Sequence, residues 1–375
     1  IAPTREMAVL SAGHASKGAF WINDETGKWS GTTYYGTFPS WVSSYNDRQG
    51  LDFRIGEMVW GPYLPVTAYK YLTSESKQIT FKHKFDDERR NKYRKLKTSP
   101  YANEEVNRLV NACLNATPVG QDFVPDLLNI AYYAGNFDHR PAVELPLEMQ
   151  DTYVRLDANL AELLDIIDRK VGLSNTLFYI TSTGYTDSQP LDARQYRIPT
   201  GEFHIKRCSA LLNLYLAAIY GEGQYVEAHH EHEIYLNHKL IEQKHLNLTE
   251  VLNRASDFLV QFSGVKDVYS SHRLMLGSWT PELDKVKNRY HKSCSGDLWV
   301  EVLPGWTVAR DHSLDTKVVR DVYTSAPFIL MGWAVRPEII HTPIKVGHIA
   351  PTMAHFMRIR APNASALPPL TDIRK

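Results

Sequence analysis

The segment TLFYITSTGYTDS, residues 176–188, decides the fold class of this chain. Its run from Leu177 to Ile180 is short, aromatic and β-branched, and it follows a long amphipathic segment, so it predicts a buried strand of an α/β sheet. The carboxyl ends of such strands carry the chemistry in open α/β enzymes. Here the strand ends at Ser182-Thr183-Gly184-Tyr185, without a carboxylate, imidazole or thiol. The segment therefore predicts an active-site platform that lacks the usual functional groups.

The residues before this strand predict a βαβ unit. Segment 126–135 has the composition of a buried strand, and the spacing of 102–116 is helical. Apolar residues recur every three or four positions through 147–172 and predict one long helix that buries Tyr153, Leu156, Leu160, Leu163, Leu164, Ile167 and Val171. Strand, helix and strand in this order predict a parallel sheet with a right-handed crossover.

The rest of the chain predicts a sheet domain with an insertion. The amino-terminal part predicts a strand from Met7 to Leu10. Residues 190 to 310 change in character, with helical spacing at 205–221 and 248–264 and short strand-like runs, which indicates an α+β cap. The sheet resumes at 326–333, and a last helix follows. The predicted organisation is a core over 1–190, a cap over 191–310, and a return to the core over 311–375.

Composition excludes several classes of protein. The chain has 375 residues and 43% hydrophobic content, which is ordinary for a globular protein. Lys+Arg and Asp+Glu balance at 42 each, so no overall field favours nucleic acid. Three widely spaced cysteines argue against a zinc ribbon or a disulfide framework. No apolar run approaches a membrane span. Because the chain begins with Ile1 rather than Met, we expect a processed, truncated or partial sequence.

Six stretches carry a resemblance to a known family: SAGHASKGAFWINDETGKW, EMQDTYVRLDANLAELLDIIDRKVG, RCSALLNLYLAAIYGEGQYVE, IYLNHKLIEQK, FLVQFSGVKDVYSSHRLMLG and IAPTMAHFMRIRAPNA. In this order they resemble the PafA-type alkaline phosphatases, within the type I phosphodiesterase and nucleotide pyrophosphatase group. The resemblance covers nearly the whole chain. It implies an alkaline-phosphatase-like α/β fold, with a mostly parallel sheet flanked by helices and an α+β cap insertion.

The resemblance also implies what the active relatives need. They use two zinc ions and a Thr or Ser nucleophile, because zinc activates the attacking oxygen and holds the phosphoryl oxygens. The first metal-binding Asp of the family falls on Gly135, and the His four residues later is kept as His139. The family's Asp-His pair falls on Thr183 and Gly184. A later metal-binding His falls near Thr316, although His312 is close.

The phosphate-binding positions are also altered. The family's Lys-x-Arg clamp falls on Thr4 and Glu6, and a carboxylate at the second position would repel a phosphate. The part of a relative that carries the nucleophile and the remaining metal Asp is absent from this chain. The resemblance therefore implies no catalytic residue and no bound zinc here.

We therefore expect a catalytically inactive homologue with a structural or binding role, as a subunit or accessory of an exported bacterial complex. We expect a protein partner, no nucleic acid and no small phospho-ligand. An extracytoplasmic location, in the periplasm or at the cell surface, is implied by the resemblance alone. The alternative is an active zinc-dependent phosphomonoesterase or phosphodiesterase whose nucleophile segment precedes this sequence and whose metal site is rebuilt from other residues.

Two further features leave alternatives open. The stretch EAHHEHEIY, 227–235, lacks the HExxH spacing; as one strand it would place His230 and His232 on one face. That face is either a solvated edge or a surface metal site, which would make the protein a histidine-based metal-binding module. The aromatic residues Trp41, Tyr63 and Tyr69 either pack a loop or form an interface.

Overall fold

The structure is a computed structural model, and it describes residues 1–70, 80–85, 91–140, 145–182, 185–186, 197–277, 280–303, 305–309, 322–323, 325–371 and 373. The chain divides into two compact units. Unit 1 comprises Ile1–Asp138, Glu144–Gly184 and Ser325–Lys375, and unit 2 comprises His139–Val143 and Tyr185–Thr324. The predicted cap, 191–310, falls within the span of unit 2, while its boundaries stay a prediction.

The α-helices of the described residues are α1 Arg5–Ala12, α2 Ser40–Gln49, α3 Lys92–Lys97, α4 Tyr101–Ala116, α5 Pro146–Lys170, α6 Ile205–Tyr220, α7 His238–Gln243, α8 Leu248–Leu259, α9 Ser271–Leu276, α10 Pro281–Lys287 and α11 Ile349–Phe356. The long predicted helices at 102–116, 147–172, 205–221 and 248–264 correspond to α4, α5, α6 and α8. Each has an amphipathic pattern long enough to be recognised without tertiary information.

The strands of the described residues are β1 Trp21–Ile22, β2 Trp29–Ser30, β3 Val59–Trp60, β4 His83–Lys84, β5 Leu177–Ile180, β6 Tyr185–Thr186, β7 Gly201–His204, β8 Val226–His230, β9 Glu233–Leu236, β10 Val265–Ser270, β11 Leu298–Val302, β12 Trp306–Ala309, β13 Val322–Tyr323 and β14 Ile329–Gly332. The largest sheet, in unit 2, is antiparallel with the order β10-β11-β9-β8. Strand β12 pairs in parallel with β7, and β14 pairs antiparallel with β5.

The predicted strand at 7–10 is wrong, because these residues belong to helix α1. The hydroxyl of Thr4 accepts a hydrogen bond from the Met7 amide at 3.4 Å and caps the helix, and Glu6 lies in its first turn. Both features favour a helix amino terminus. A short apolar run of four residues could not distinguish the two structures.

The predicted strand at 126–135 does not form a regular ladder in the described residues. Its hydrogen bonds go elsewhere: the Ile1 amine donates to the Asn129 carbonyl at 2.8 Å, and the Ala131 amide donates to the Ile1 carbonyl at 3.0 Å. The side chain of Asn103 bonds both backbone groups of Tyr133 at 2.8 Å. The predicted βαβ ladder is therefore not observed, although the Ile1 bonds have the spacing of a parallel pair.

Each unit has its own apolar core. The core of unit 1 packs α2, α4 and α5 around fully buried side chains that include Trp29, Trp60, Leu109 and Leu147. The core of unit 2 packs α6 and α8 against the four-stranded sheet through Leu212, Leu216, Val251, Leu298 and Val300. None of the helices formed by the described residues has the length and apolar character needed to cross a bilayer.

Candidate functional site

Three chain segments that lead to the predicted site positions lie side by side in unit 1. The amino-terminal segment is bonded to segment 129–131 through both polar backbone groups of Ile1. The hydroxyl of Tyr179, on β5, donates to the Asn129 side chain at 2.6 Å. The segments that lead to Thr4, to Gly135 and to the end of β5 thus lie in one region of the unit.

Thr4 and Glu6, at the predicted clamp positions, serve helix α1. Thr4 is half-buried and caps the helix, while Glu6 is exposed in its first turn. A carboxylate there is stabilised by the positive end of the helix dipole. Neither side chain supplies a positive charge to a phosphoryl group, because one is neutral and the other is an anion.

Gly135, at the predicted position of the first metal-binding Asp, has no side chain that could bind a metal ion, and its surroundings are filled. A Cβ atom at this position would lie 2.8 Å from the hydroxyl of Tyr133 and 2.9 Å from its ring. That hydroxyl is held in place, because it donates to the Asn136 carbonyl at 2.6 Å. A carboxylate side chain could enter only if the Tyr133 ring moved.

His139 ends a short 3₁₀ turn, Phe137–His139, at which the chain passes from unit 1 to unit 2. Asp138 and His139 have φ angles of 52° and 53°, in the left-handed region that non-glycine residues seldom adopt. The Asp138 amide donates to the Thr98 hydroxyl at 3.0 Å, which holds the turn. The retained imidazole is thus part of a tightly constrained turn.

Thr183, Gly184 and Thr316 lie outside the described residues. Strand β5 delivers the chain to Thr181 and Ser182, both of which are exposed. Among the residues that the structure describes, no three His, Cys, Asp or Glu side chains are grouped so as to hold a metal ion. The described residues at the predicted metal positions do not fit a pair of zinc ions, since Gly135 has no donor side chain and His139 supplies a single imidazole.

The predicted single strand through the histidine-rich stretch is wrong. Strands β8 and β9 form a hairpin with its turn at Glu231 and His232, and His230 pairs with Glu233 across it. His232 stacks on Trp299 with the ring centroids 5.0 Å apart, and its Nδ1 lies 2.9 Å from the Val300 carbonyl. The argument that His230 and His232 share one strand face therefore fails, and a metal site there stays a prediction without that support.

A buried polar centre, which the sequence pattern did not reveal, lies around Asp151 on α5. The fully buried carboxylate accepts hydrogen bonds from the Trp60 indole at 2.6 Å, the Tyr63 amide at 2.6 Å, the Tyr69 hydroxyl at 2.5 Å and Nε of Arg155 at 2.9 Å. Four donors satisfy this carboxylate in the interior. Burial and the bond to Asp151 raise the pKa of Tyr69.

Two more buried carboxylates lie in the same unit. Glu148, one turn before Asp151 along the helix, is paired with His83 at 2.9 Å. Glu105, on α4, accepts hydrogen bonds from Tyr45 at 2.8 Å and from Trp29 at 3.1 Å, and it also pairs with Arg54. Aromatic N–H and O–H groups supply most of these bonds.

These carboxylates change the buried face of α5. The predicted face includes Tyr153, which is 54% exposed. The buried positions of the helix instead are Leu147, Glu148, Asp151, Thr152, Asn159, Leu163, Ile166 and Ile167. The apolar pattern predicted the wrong buried residues in the first half of the helix, because polar side chains that have hydrogen-bond partners can also be buried in a core.

The aromatic residues singled out from sequence take different positions. Tyr69 is buried on Asp151, and Trp41 packs against Phe20 with ring centroids 5.5 Å apart. Tyr63 is 55% exposed, with the Arg155 guanidinium 5.0 Å from its ring centroid. Packing thus accounts for the positions of Trp41 and Tyr69, whereas the ring of Tyr63 is exposed at the surface.

Comparison with known proteins identifies the relatives of this chain. Residues 4–325 match the sequence model of a family described as type I phosphodiesterase / nucleotide pyrophosphatase. The alkaline phosphatase PafA of Elizabethkingia meningoseptica is 25% identical over 380 residues, covering 98% of this chain and 69% of that protein. A protein named calcium-transporting ATPase, from Myroides odoratus, is 25% identical, covering 97% of this chain and 69% of that protein. The alkaline phosphatase PhoV of Synechococcus elongatus is 23% identical over 98% of this chain and 68% of its own.

The fold is similar to solved structures of one of these relatives. The crystal structure of wild-type PafA matches with a TM-score of 0.79 and 24% identity, over 100% of this chain and 74% of that chain. A variant of the same protein matches with a TM-score of 0.80, 24% identity and the same coverage. These matches confirm the predicted alkaline-phosphatase-like α/β fold.

Proposed function

This chain belongs to the type I phosphodiesterase / nucleotide pyrophosphatase family, and we propose that within the family it is a non-hydrolytic member that acts by binding another protein. The observation that carries the proposal is the use of the clamp and metal positions for structure. Thr4 caps α1, Glu6 is an exposed anion in its first turn, and Gly135 lies against a hydrogen-bonded Tyr133.

The chemistry of phosphate-ester hydrolysis supports this proposal. The reaction needs positive charge around the transferring phosphoryl group and an activated oxygen nucleophile. Affinity for zinc depends on the number and geometry of the ligands, and one retained imidazole, His139, does not hold a pair of ions. The described residues at the family positions supply neither a cation nor a complete ligand set.

The proposed binding role draws on exposed side chains near α1. Leu10 is 84% exposed and Tyr34 is 64% exposed, and the two are linked through the loop in which Nδ1 of His14 lies 3.2 Å from the Tyr34 hydroxyl. Large apolar and aromatic side chains anchor protein interfaces. We place this role in an exported bacterial complex, in the periplasm or at the cell surface, from the resemblance to the alkaline phosphatases.

The experiment that tests the lack of hydrolysis measures zinc and activity on the same sample. The chain is purified without chelator or affinity tag, its zinc is counted by mass spectrometry, and hydrolysis of a phosphate monoester and a phosphate diester is followed. We expect no tightly held zinc and no turnover above that of the free ions. Two ions per chain with turnover would contradict the proposal and support the second candidate, an active phosphoesterase, which the names of the relatives favour.

A clamp variant sharpens this test. Glu6→Arg replaces an exposed side chain, so it leaves the core intact while restoring a cation at the family's phosphate-binding position. A weakened phosphatase would gain activity from this change, because the repulsion of the substrate is removed. A non-hydrolytic protein gains none, and we expect none.

The binding role is tested by crosslinking in cells. Wild type is compared with Tyr34→Ser and with Phe53→Ser, which changes an equally exposed ring elsewhere in unit 1. Loss of a crosslinked species with Tyr34→Ser but not with Phe53→Ser would support the role. Identical crosslinking of all three chains would remove this surface from the proposal.

A further inference from the structure

Helix α6, Ile205–Tyr220, is apolar on the side that faces away from its own unit. Its buried side consists of Ile205, Cys208, Ser209, Leu212 and Leu216, which pack on α8 and the four-stranded sheet. On the opposite side, Leu214 is 64% exposed and Leu211 37%. A surface helix normally carries polar side chains on its outer face.

After Arg207, the outer face of α6 carries no charge. From Cys208 to Gly221 the sequence contains no Asp, Glu, Lys or Arg, and the exposed positions in that span are Ala210, Leu211, Leu214, Ala218, Ile219 and Gly221. We call Ala210, Leu211, Leu214, Ala218 and Gly221 the α6 stripe. Such a contiguous apolar surface marks a contact site.

Charges are confined to the two ends of the α6 stripe and have opposite signs. Lys206 and Arg207 are exposed at the amino-terminal end, and Glu222 is exposed just beyond the carboxyl-terminal end. Within the described part of the chain, none of the three forms an ion pair with another residue. One end is therefore available to an anionic group of a partner and the other to a cationic one.

We propose that the α6 stripe binds the same stripe of a second copy of this chain, in an antiparallel pair with Leu214 at the two-fold axis. Lys206 and Arg207 lie in the first turn of α6, and Glu222 lies two residues beyond its last residue, Tyr220. An antiparallel pair therefore brings the basic end of one stripe to the acidic end of the other, at both ends.

The spacing of the stripe fits this arrangement. Within α6, Arg207, Leu211, Leu214 and Ala218 follow one another at intervals of four, three and four residues. This alternation is that of a seam between paired helices, and small residues such as Ala210 and Ala218 let the helices approach closely. A two-fold pair of this kind is self-complementary and closes on itself.

The proposal does not depend on the absence of hydrolysis, because α6 carries none of the predicted family positions. It is tested by sedimentation velocity of the whole chain over a range of micromolar concentrations. Wild type is expected to pass from monomer to dimer as concentration rises. A wild-type chain that stays monomeric throughout would overturn the proposal.

Leu214→Lys places two like charges at the axis, and truncating or charging a central anchor should raise the dissociation constant by about 30-fold or more. The control is Leu276→Lys, which changes a leucine on α9 that is 73% exposed and outside the stripe. Leu276→Lys should leave the dissociation constant unchanged. Equal effects of the two variants would contradict the assigned surface.

Charge exchange tests the antiparallel register. The double variant Lys206→Glu/Arg207→Glu places carboxylates opposite Glu222 and should weaken the dimer, and adding Glu222→Lys should restore it. All three changes suit the helix dipole, so a weaker dimer cannot be ascribed to a less stable helix. Failure of the triple variant to restore the dimer would overturn the antiparallel arrangement.

Discussion

The carboxylate of Asp151 accepts a hydrogen bond from the indole nitrogen of Trp60 at 2.6 Å across a sequence separation of 91 residues. Both residues are fully buried. The bond ties the loop region around β3 to the second turn of α5, and the same carboxylate also holds Tyr63, Tyr69 and Arg155. The interior of unit 1 is therefore organised around a satisfied anion as well as around apolar packing.

Asp151→Asn should lower the free energy of unfolding by about 3 kcal/mol, because the amide cannot accept from all four donors and leaves some of them unpaired in the core. Urea denaturation followed by tryptophan fluorescence measures the change. Asp157→Asn, on an exposed position of the same helix, should change stability by less than about 0.5 kcal/mol. A small effect of Asp151→Asn would mean that the donors find other acceptors.

Glu104→Gln should make stability less sensitive to pH. Burial raises the pKa of Glu104 above its ordinary value. The Arg155 guanidinium, whose Nη1 lies 3.5 Å from Oε1 of Glu104, offsets this rise only in part. Because the folded-state pKa is the higher one, the contribution of this group to stability is complete at low pH and is lost as the pH rises through the folded pKa. The variant should therefore gain stability relative to wild type between about pH 4 and neutrality.

Urea midpoints measured at several pH values would check this prediction. Asp165→Asn, which removes an exposed carboxylate from α5, is the matched control and should show no such trend. The opposite trend for Glu104→Gln would show that the Arg155 pairing outweighs burial.

Gly135→Ala should destabilise the chain by about 1 to 2 kcal/mol, since the new Cβ would meet the Tyr133 side chain at 2.8 Å. In a Tyr133→Phe background the cost should fall, because the ring is no longer held by its bond to Asn136. Gly61→Ala is the control, as a Cβ there has an ordinary 3.4 Å contact. Thermal unfolding would compare wild type, the three single variants and the Gly135→Ala/Tyr133→Phe double variant. Equal costs of Gly135→Ala in both backgrounds would contradict the steric account.

His232→Ala should lower stability by about 1 to 2 kcal/mol, because it removes the stack on Trp299 and the bond to the Val300 carbonyl. His230→Ala, at an exposed position of the same hairpin, should be nearly neutral. Thermal unfolding of both variants, with zinc content measured in parallel, distinguishes packing from metal binding. A loss of bound metal in both variants would revive the surface metal site.

The elements that the sequence predicted well are those specified by local pattern. Helix α4 and helix α6 have long amphipathic repeats, and strand β5 is a short aromatic and β-branched run, so their backbone structure follows from their own residues. Segment 7–10 was misassigned because four apolar residues suit either structure. The histidine stretch was misassigned because its two-residue turn lacks the glycine or asparagine that marks most hairpins.

The assignment of the clamp to Thr4 and Glu6, and of a metal position to Gly135, stays a prediction from the resemblance. The structural role of these residues depends on contacts in the tertiary structure. Thr4 caps a helix that was predicted as a strand, and the space beside Gly135 is filled by a Tyr133 ring whose position depends on Asn103 and Asn136.

The sequence by itself determined the long helices and strand β5, because each of these depends on residue type and on spacing within one segment. Only the tertiary structure decided the buried face of α5 and the partners of Asp151, Glu148 and Glu105. A carboxylate is buried or exposed according to whether donors reach it, and here the donors come from distant parts of the chain.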